Sequence, residues 1–143
     1  MRAVLDPNVI VSAVIAPGGA PARVLERGLA GDFEPVVSAL LLAELADVLA
    51  RPKLRQRVAV ADAEELQQRI SERSLLVADP EAAPPLRARD PGDDYLLALA
   101  HEQRAALVSG DGDLLELAGR APVFTPGEFL RMLDDPELRG FGA

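Results

Sequence analysis

The chain has no cysteine. That excludes disulfides, zinc–thiolate sites and thiol nucleophiles. A single histidine, His101, gives a histidine-rich metal site or a Ser-His-Asp triad little to work with. Aromatic residues make up only 3% of a chain that is 49% hydrophobic, so the core is expected to be Leu, Val, Ile and Ala. Lysine occurs once, at Lys53, among 15 basic residues. No apolar run approaches the roughly 18 residues of a membrane span. The start, Met-Arg-Ala-Val-Leu-Asp, carries no apolar stretch of signal-peptide length before its first charge. These absences predict a soluble, cytoplasmic protein with no membrane partner.

What remains in quantity is carboxylate: 23 acids give a net charge of −8. Hard oxygen ligands favour Mg2+ or Mn2+ over zinc. An acidic body is an awkward partner for nucleic acid, whose phosphates call for basic surface. The basic residues are clustered, however. Arg51, Lys53, Arg55 and Arg57 fall close together, and Arg69, Arg73, Arg87 and Arg89 follow before the main acidic stretch. The first four form either an RNA-binding patch or an ordinary solvated helix face, and both readings stay open.

At 143 residues the chain is expected to form one domain over 1–133, with a flexible polar tail at 134–143. Short apolar runs at Arg2–Asp6, Phe33–Val37, Leu75–Val77, Ala105–Ser109 and Pro122–Phe124 read as strands. Helices are expected at Val9–Ile15, Pro21–Ala30, Leu40–Ala50 (capped by Ser38 and ended by Arg51-Pro52), Asp62–Arg73 and Leu114–Ala118. Asp62 and Glu65 have the spacing of a capping box. Asp90 and Pro91 open a central helix, and Thr125 to Glu128 repeats the capping pattern before a last helix to Leu133. Alternating strands and helices predict an α/β sandwich with a mostly parallel sheet.

In such sheets ligands bind beyond the carboxyl ends of the strands. Asp6 and Asp111 each follow a predicted strand and point toward that crevice, although either could simply cap the next helix. Glu44 has Leu40, Leu41 and Val48 as helical neighbours, which puts a carboxylate on an apolar face. A buried basic partner or a metal would each explain it. Asp93 heads the buried stripe Leu96, Leu97 and Ala100, whereas Asp94 lies nearer the boundary and Asp90 has a capping job. Asp6, Glu44, Asp93 and Asp111 are therefore the candidate catalytic and metal-binding acids. Mutual repulsion would raise some of their pKa values in the absence of a cation. With Mg2+ or Mn2+ they would activate water for attack on a phosphodiester.

The segments VLDPN (Val4–Asn8), VVSALLLAELADVLARPKL (Val36–Leu54), DPGDDYLLALA (Asp90–Ala100), LVSGDGDLL (Leu107–Leu115) and TPGEFL (Thr125–Leu130) together closely resemble the PIN-domain family. The nearest likeness is to its subgroup of toxin components from bacterial type II toxin–antitoxin pairs. The resemblance implies a three-layer α/β/α sandwich, with the four family acids on Asp6, Glu44, Asp93 and Asp111. It also implies supporting roles for Asn8, which braces the site, and Asp113, which supports the metal through water; Asp94 stands in reserve for Asp93. Its functional implication is a Mg2+- or Mn2+-dependent endoribonuclease, inhibited by a cognate antitoxin protein and often a homodimer. One departure is Pro7, where the family commonly has Thr or Ser, so a hydroxyl is lost.

Receiver and haloacid-dehalogenase domains also use an Asp after a parallel strand, but they need a lysine near the phosphoryl group. Lys53 sits after a helix break, and position 8 is Asn rather than a second acid. An EF-hand starting at Asp111 fails because its sixth position is Glu116 and its twelfth Pro122. Neither GxGxxG nor a Walker A sequence occurs. The remaining alternative is a PIN-like module that binds RNA or a protein without cutting.

Overall fold

A computed structural model describes residues 1–138. Residues 139–143, the outer half of the tail expected to be flexible, lie outside the described residues. Five parallel strands form the centre: β1 (Arg2–Leu5), β2 (Glu34–Val37), β3 (Leu75–Leu76), β4 (Ala106–Val108) and β5 (Val123–Phe124). Their order across the sheet is β3-β2-β1-β4-β5. Ala3, Val4 and Leu5 of β1, and all three residues of β4, are buried. Strands covered on both faces read as continuous small apolar runs, and these do.

The connecting helices are α1 (Pro7–Ile15), α2 (Ala20–Leu29), α3 (Ala39–Leu49), α4 (Pro52–Arg55), α5 (Val60–Arg73), α6 (Asp94–Glu102), α7 (Gly112–Leu115) and α8 (Pro126–Asp134). The chain leaves β1 for β2 and β3, then crosses to the other side of β1 for β4 and β5. Right-handed crossovers put α1 to α5 on one face of the sheet and α6 on the other, while α8, at the end of the chain, returns to pack on α2. α1 packs on α2 and α3, and α5 on both α2 and α3, whereas α6 lies against β1 and β4. Three layers result. No single helix among the described residues is long and apolar enough to cross a membrane.

Local chemistry accounts for most boundaries. Ser38 caps α3 by accepting from the Leu41 N–H at 3.3 Å. Thr125 and Glu128 form the expected reciprocal capping box at the start of α8. The box expected at Asp62 does not form. Helix α5 starts two residues earlier, after an extended Ala59 with no side-chain cap. Buried Val58 anchors that start, and Asp62 falls in the first turn, where its charge suits the positive end of the helix. Helix α3 ends before Arg51-Pro52 as expected, and after an extended Arg51 a separate short helix follows. Pro52 takes the first position of α4, where its missing N–H costs nothing.

The core is mainly aliphatic, as composition suggests, with one addition. Phe129 is its largest fully buried side chain and meets Phe33 edge to face, with ring centroids 5.0 Å apart. Rarity of aromatics did not keep them out of the centre. Asp134 ends α8 and its exposed side chain pairs with Arg27 at 2.7 Å, so the helix runs one residue into the expected tail.

Candidate active site

The register of β1 on β4 builds the site. Leu5 is paired with Val108, so Asp6 and Ser109 leave neighbouring strands side by side. The Asp6 N–H donates to the Val108 carbonyl at 3.0 Å, extending the ladder by one step. The Ser109 hydroxyl donates to Asp6 Oδ2 at 2.8 Å and accepts from the Asp111 N–H at 3.0 Å. β1 and β4 are also the strands between which the chain reverses its direction of travel across the sheet. Ligands of open α/β sheets bind at that switch point.

Asp6 and Asp111 are both helix caps. Asp6 Oδ1 accepts from the Asn8 N–H at 3.0 Å, and Asp111 Oδ1 from the Asp113 N–H at 2.9 Å. Capping occupies one oxygen of each, so the structural and the chemical readings of these acids coexist. Asp6 is only 3% exposed, and burial pushes its pKa up, with the charges of Glu44 and Asp111 adding to the effect. Asn8 braces Asp6 through its main chain, while its residue as a whole is exposed. Asp113 is half-buried in the first turn of α7.

Asp93 approaches from the α6 side. Asp90 was expected to cap one continuous helix; it caps a single 3-10 turn, Pro91–Asp93, and accepts from the Gly92 N–H at 2.9 Å. Asp93 is the hinge between that turn and α6. Its Oδ2 is buried and has no hydrogen-bond partner. Burial, followed by the charges of Asp111, Asp6 and Asp90, raises its pKa to about 7. Two ionised carboxylates have no donor between them; a proton on Asp93 lets it bond to Asp111 instead, which also favours the protonated form.

Helical phase separates Asp94 from this group. It accepts from the Ala88 N–H and from Arg87 Nε, each at 2.7 Å, and these bonds hold its pKa below the usual range despite desolvation. Asp94 thus fastens the loop before α6 rather than facing Asp6 and Asp111.

Glu44 is half-buried on α3. Leu41 and Val48 flank it on the buried side, but Leu40, expected there too, is 48% exposed. The carboxylate therefore sits at the edge of the apolar face. Its partner is the Tyr95 hydroxyl, which donates to Glu44 Oε2. Desolvation and the charges of Glu44, Asp6 and Asp93 push the Tyr95 hydroxyl well above its ordinary pKa, so the phenol stays a donor. Tyr95 and Ser109 are the two hydroxyls of the site, and sequence reading passed over both. The signals were slight: the chain's one tyrosine two places after Asp93, and a serine closing a buried strand.

The donor set is hard oxygen, and a buried, partnerless Asp93 Oδ2 among like charges is what a cation would relieve. In chemistry the residues fit a divalent metal. In placement they do not yet form a cage: among the described residues no group of three His, Cys, Asp or Glu side chains is positioned to hold an ion together. Asp6 and Glu44 are instead satisfied by Ser109 and Tyr95. Arg51, Lys53, Arg55 and Arg57 are all exposed on and around α4, and Arg55 Nε bonds to the Ala50 carbonyl at 3.2 Å.

A parallel sheet with acids at its switch point defines an α/β domain with its ligand site beyond the carboxyl ends of the strands. A family model described as PIN domain matches residues 2–113, and the chain belongs to that family. PIN domains are commonly nucleases and typically use divalent metals. An uncharacterized protein of Methanocaldococcus jannaschii, MJ1680, is 27% identical over 118 residues, covering 82% of this chain and 75% of that protein. A PilT N-terminus domain protein from Sulfolobus solfataricus, SSO1118, shares the fold at a TM-score of 0.51 and 18% identity, over 93% of each chain.

Proposed function

We propose that the protein is a Mg2+- or Mn2+-dependent endoribonuclease and the toxin of a toxin–antitoxin pair, acting in the cytoplasm as a homodimer held in check by a protein antitoxin. One observation carries the nuclease reading. Asp6, Asp93 and Asp111 come from three separate segments, and burial together with neighbouring carboxylates raises the pKa values of Asp6 and Asp93 at the carboxyl ends of β1 and β4. The toxin assignment rests on the sequence resemblance alone.

A divalent cation held by Asp6, Asp93, Asp111 and Glu44 would supply water activation and neutralise charge developing on the phosphate. The chain's own groups do the rest. Ser109 fixes Asp6 and the Asp111 main chain in one unit. Tyr95 orients Glu44. Asp93 Oδ2, buried and without a hydrogen-bond partner, is the oxygen whose charge a bound cation would relieve most. Arg51, Lys53, Arg55 and Arg57 would take RNA phosphates at the rim.

A second reading is favoured by the lack of a preformed three-carboxylate group among the described residues. On that reading the domain binds RNA or a protein without cutting. Incubating the purified protein and an Asp93→Asn variant with structured RNA and Mn2+ separates the two. Cleavage by the parent alone supports the nuclease. Equal cleavage by both sinks the assignment, and binding without cleavage across metals favours the module. Neutralising two of the four rim cations should lower the slope of log affinity against log salt by roughly one to two.

A further inference from the structure

At the amino ends of β4 and β5, opposite the carboxylates, two adjoining cavities of about 220 and 620 Å3 share His101, Arg120 and Pro122 in their walls. Arg104 joins the larger one, and Leu86 and Leu97 line the smaller. In a chain of net charge −8, three basic side chains border this groove and no acid lines it. Arg104 and Arg120, like most arginines of the described residues, have no ion pair there, so their charge is open to a partner; only Arg2, Arg27, Arg87 and Arg89 are paired.

Arg104 carries an independent signal. Its φ of 51° is the one positive value at a non-glycine position among the described residues. It follows α6, and the Ala105 N–H reaches back to the Ala100 carbonyl at 2.9 Å, closing the helix through a left-handed residue. Glycine is the usual occupant of that position because a Cβ there is strained. Strain kept at a site-lining residue points toward function.

We propose that this groove is a docking site for an acidic protein segment that carries a bulky apolar side chain. The apolar slot beside Leu86 and Leu97 takes the anchor, and Arg104, Arg120 and His101 face its flanking carboxylates. Single-stranded nucleic acid shares the charge but binds by stacking on aromatic rings. The smaller cavity has no Phe, Tyr or Trp and the larger has Phe124 as its one aromatic; a lone ring cannot stack successive bases, which favours the peptide.

The probe is a short fluorescein-labelled peptide with a central Leu-Phe pair flanked by Asp and Glu, titrated by anisotropy into the full chain. Arg104→Gly relieves the strain and removes the charge, so it should raise the melting temperature while weakening the peptide about tenfold, the scale of one lost charge-assisted contact. Arg120→Ala should weaken it similarly. Replacing Leu-Phe by Ala-Ala, or the acids by Lys, should abolish binding. Unchanged affinity in both arginine variants would overturn the proposal. So would tighter binding of a labelled single-stranded RNA, or self-association of the chain that both variants abolish, because the groove would then serve nucleic acid or a second copy.

Discussion

Tyr95 donates its hydroxyl to Glu44, joining the first turn of α6 to the middle of α3 across 51 positions of sequence. It is the chain's one tyrosine. Tyr95→Phe keeps the ring and removes the donor. A hydrogen bond to a charged group contributes about 1.5–3 kcal/mol, so the variant should lose about that much stability, less what water recovers at a half-exposed site. Urea denaturation in EDTA measures it. Loss of the same stability in a Glu44→Ala background would show that the bond is not the cause, since the coupling energy of the pair would then vanish.

Asp93 predicts an unusual pH response. Its pKa rises from 3.8 to about 7 on folding, so between these values the folded state binds more protons than the unfolded one. The sign follows: in metal-free protein this group's contribution falls as pH rises through that window, and the full penalty is present above about pH 7. Asp94 and Glu128 have lowered pKa values and act in the opposite sense, their contributions being lost as pH falls below their ordinary values of 3.8 and 4.5. Asp93→Asn should therefore stabilise the metal-free protein at about pH 8 and change little at about pH 4. Equilibrium unfolding at the two pH values, with chelator, tests this; an equal effect at both would refute the assigned proton.

The positions of Asp6, Asp93 and Asp111 were legible because strand ends and helix phase are local patterns. The order of the strands was not. Only the Leu5–Val108 register brings Asp6 beside Ser109, and no periodicity encodes which parallel strands are neighbours. Helix phase went wrong where exposure depends on tertiary cover, as at Leu40. It also could not foresee that Asp94 would find Ala88 and Arg87 in a proline-rich loop. Cap spacing worked where the capped turn is held at both ends, at Thr125, and failed at Asp62, where buried Val58 sets the start of the helix instead.

Ser109 is completely buried and serves two groups, donating to Asp6 Oδ2 and accepting from the Asp111 N–H. Ser109→Ala leaves a buried carboxylate oxygen and a main-chain N–H unsatisfied together, at a cost of about 2–4 kcal/mol. The Asp6 carboxyl, already raised, should rise further because the hydroxyl favours its charged form. Ser109→Thr, which keeps the hydroxyl, should recover much of the loss. NMR titration of the Asp6 side-chain carboxyl reads the second effect; a pKa that does not move would mean the hydroxyl contact is not made in solution.

Gly28 tests the packing under the amino ends of the strands. It lies inside α2, where alanine is better than glycine by about 1 kcal/mol on intrinsic grounds. Yet a Cβ at this position would stand 2.7 Å from Phe33 Cζ and 3.1 Å from Pro35 Cγ. Phe33 cannot retreat freely, because its ring is set edge to face on buried Phe129. Overpacking of a filled core costs about 1–3 kcal/mol, which outweighs the propensity gain. Gly28→Ala should therefore lower the urea midpoint, whereas Phe33→Leu combined with it should restore part of the loss by returning space. A Gly28→Ala variant more stable than its parent would show that the Phe33–Phe129 pair yields, and that the helix, not the aromatic contact, governs this corner of the fold.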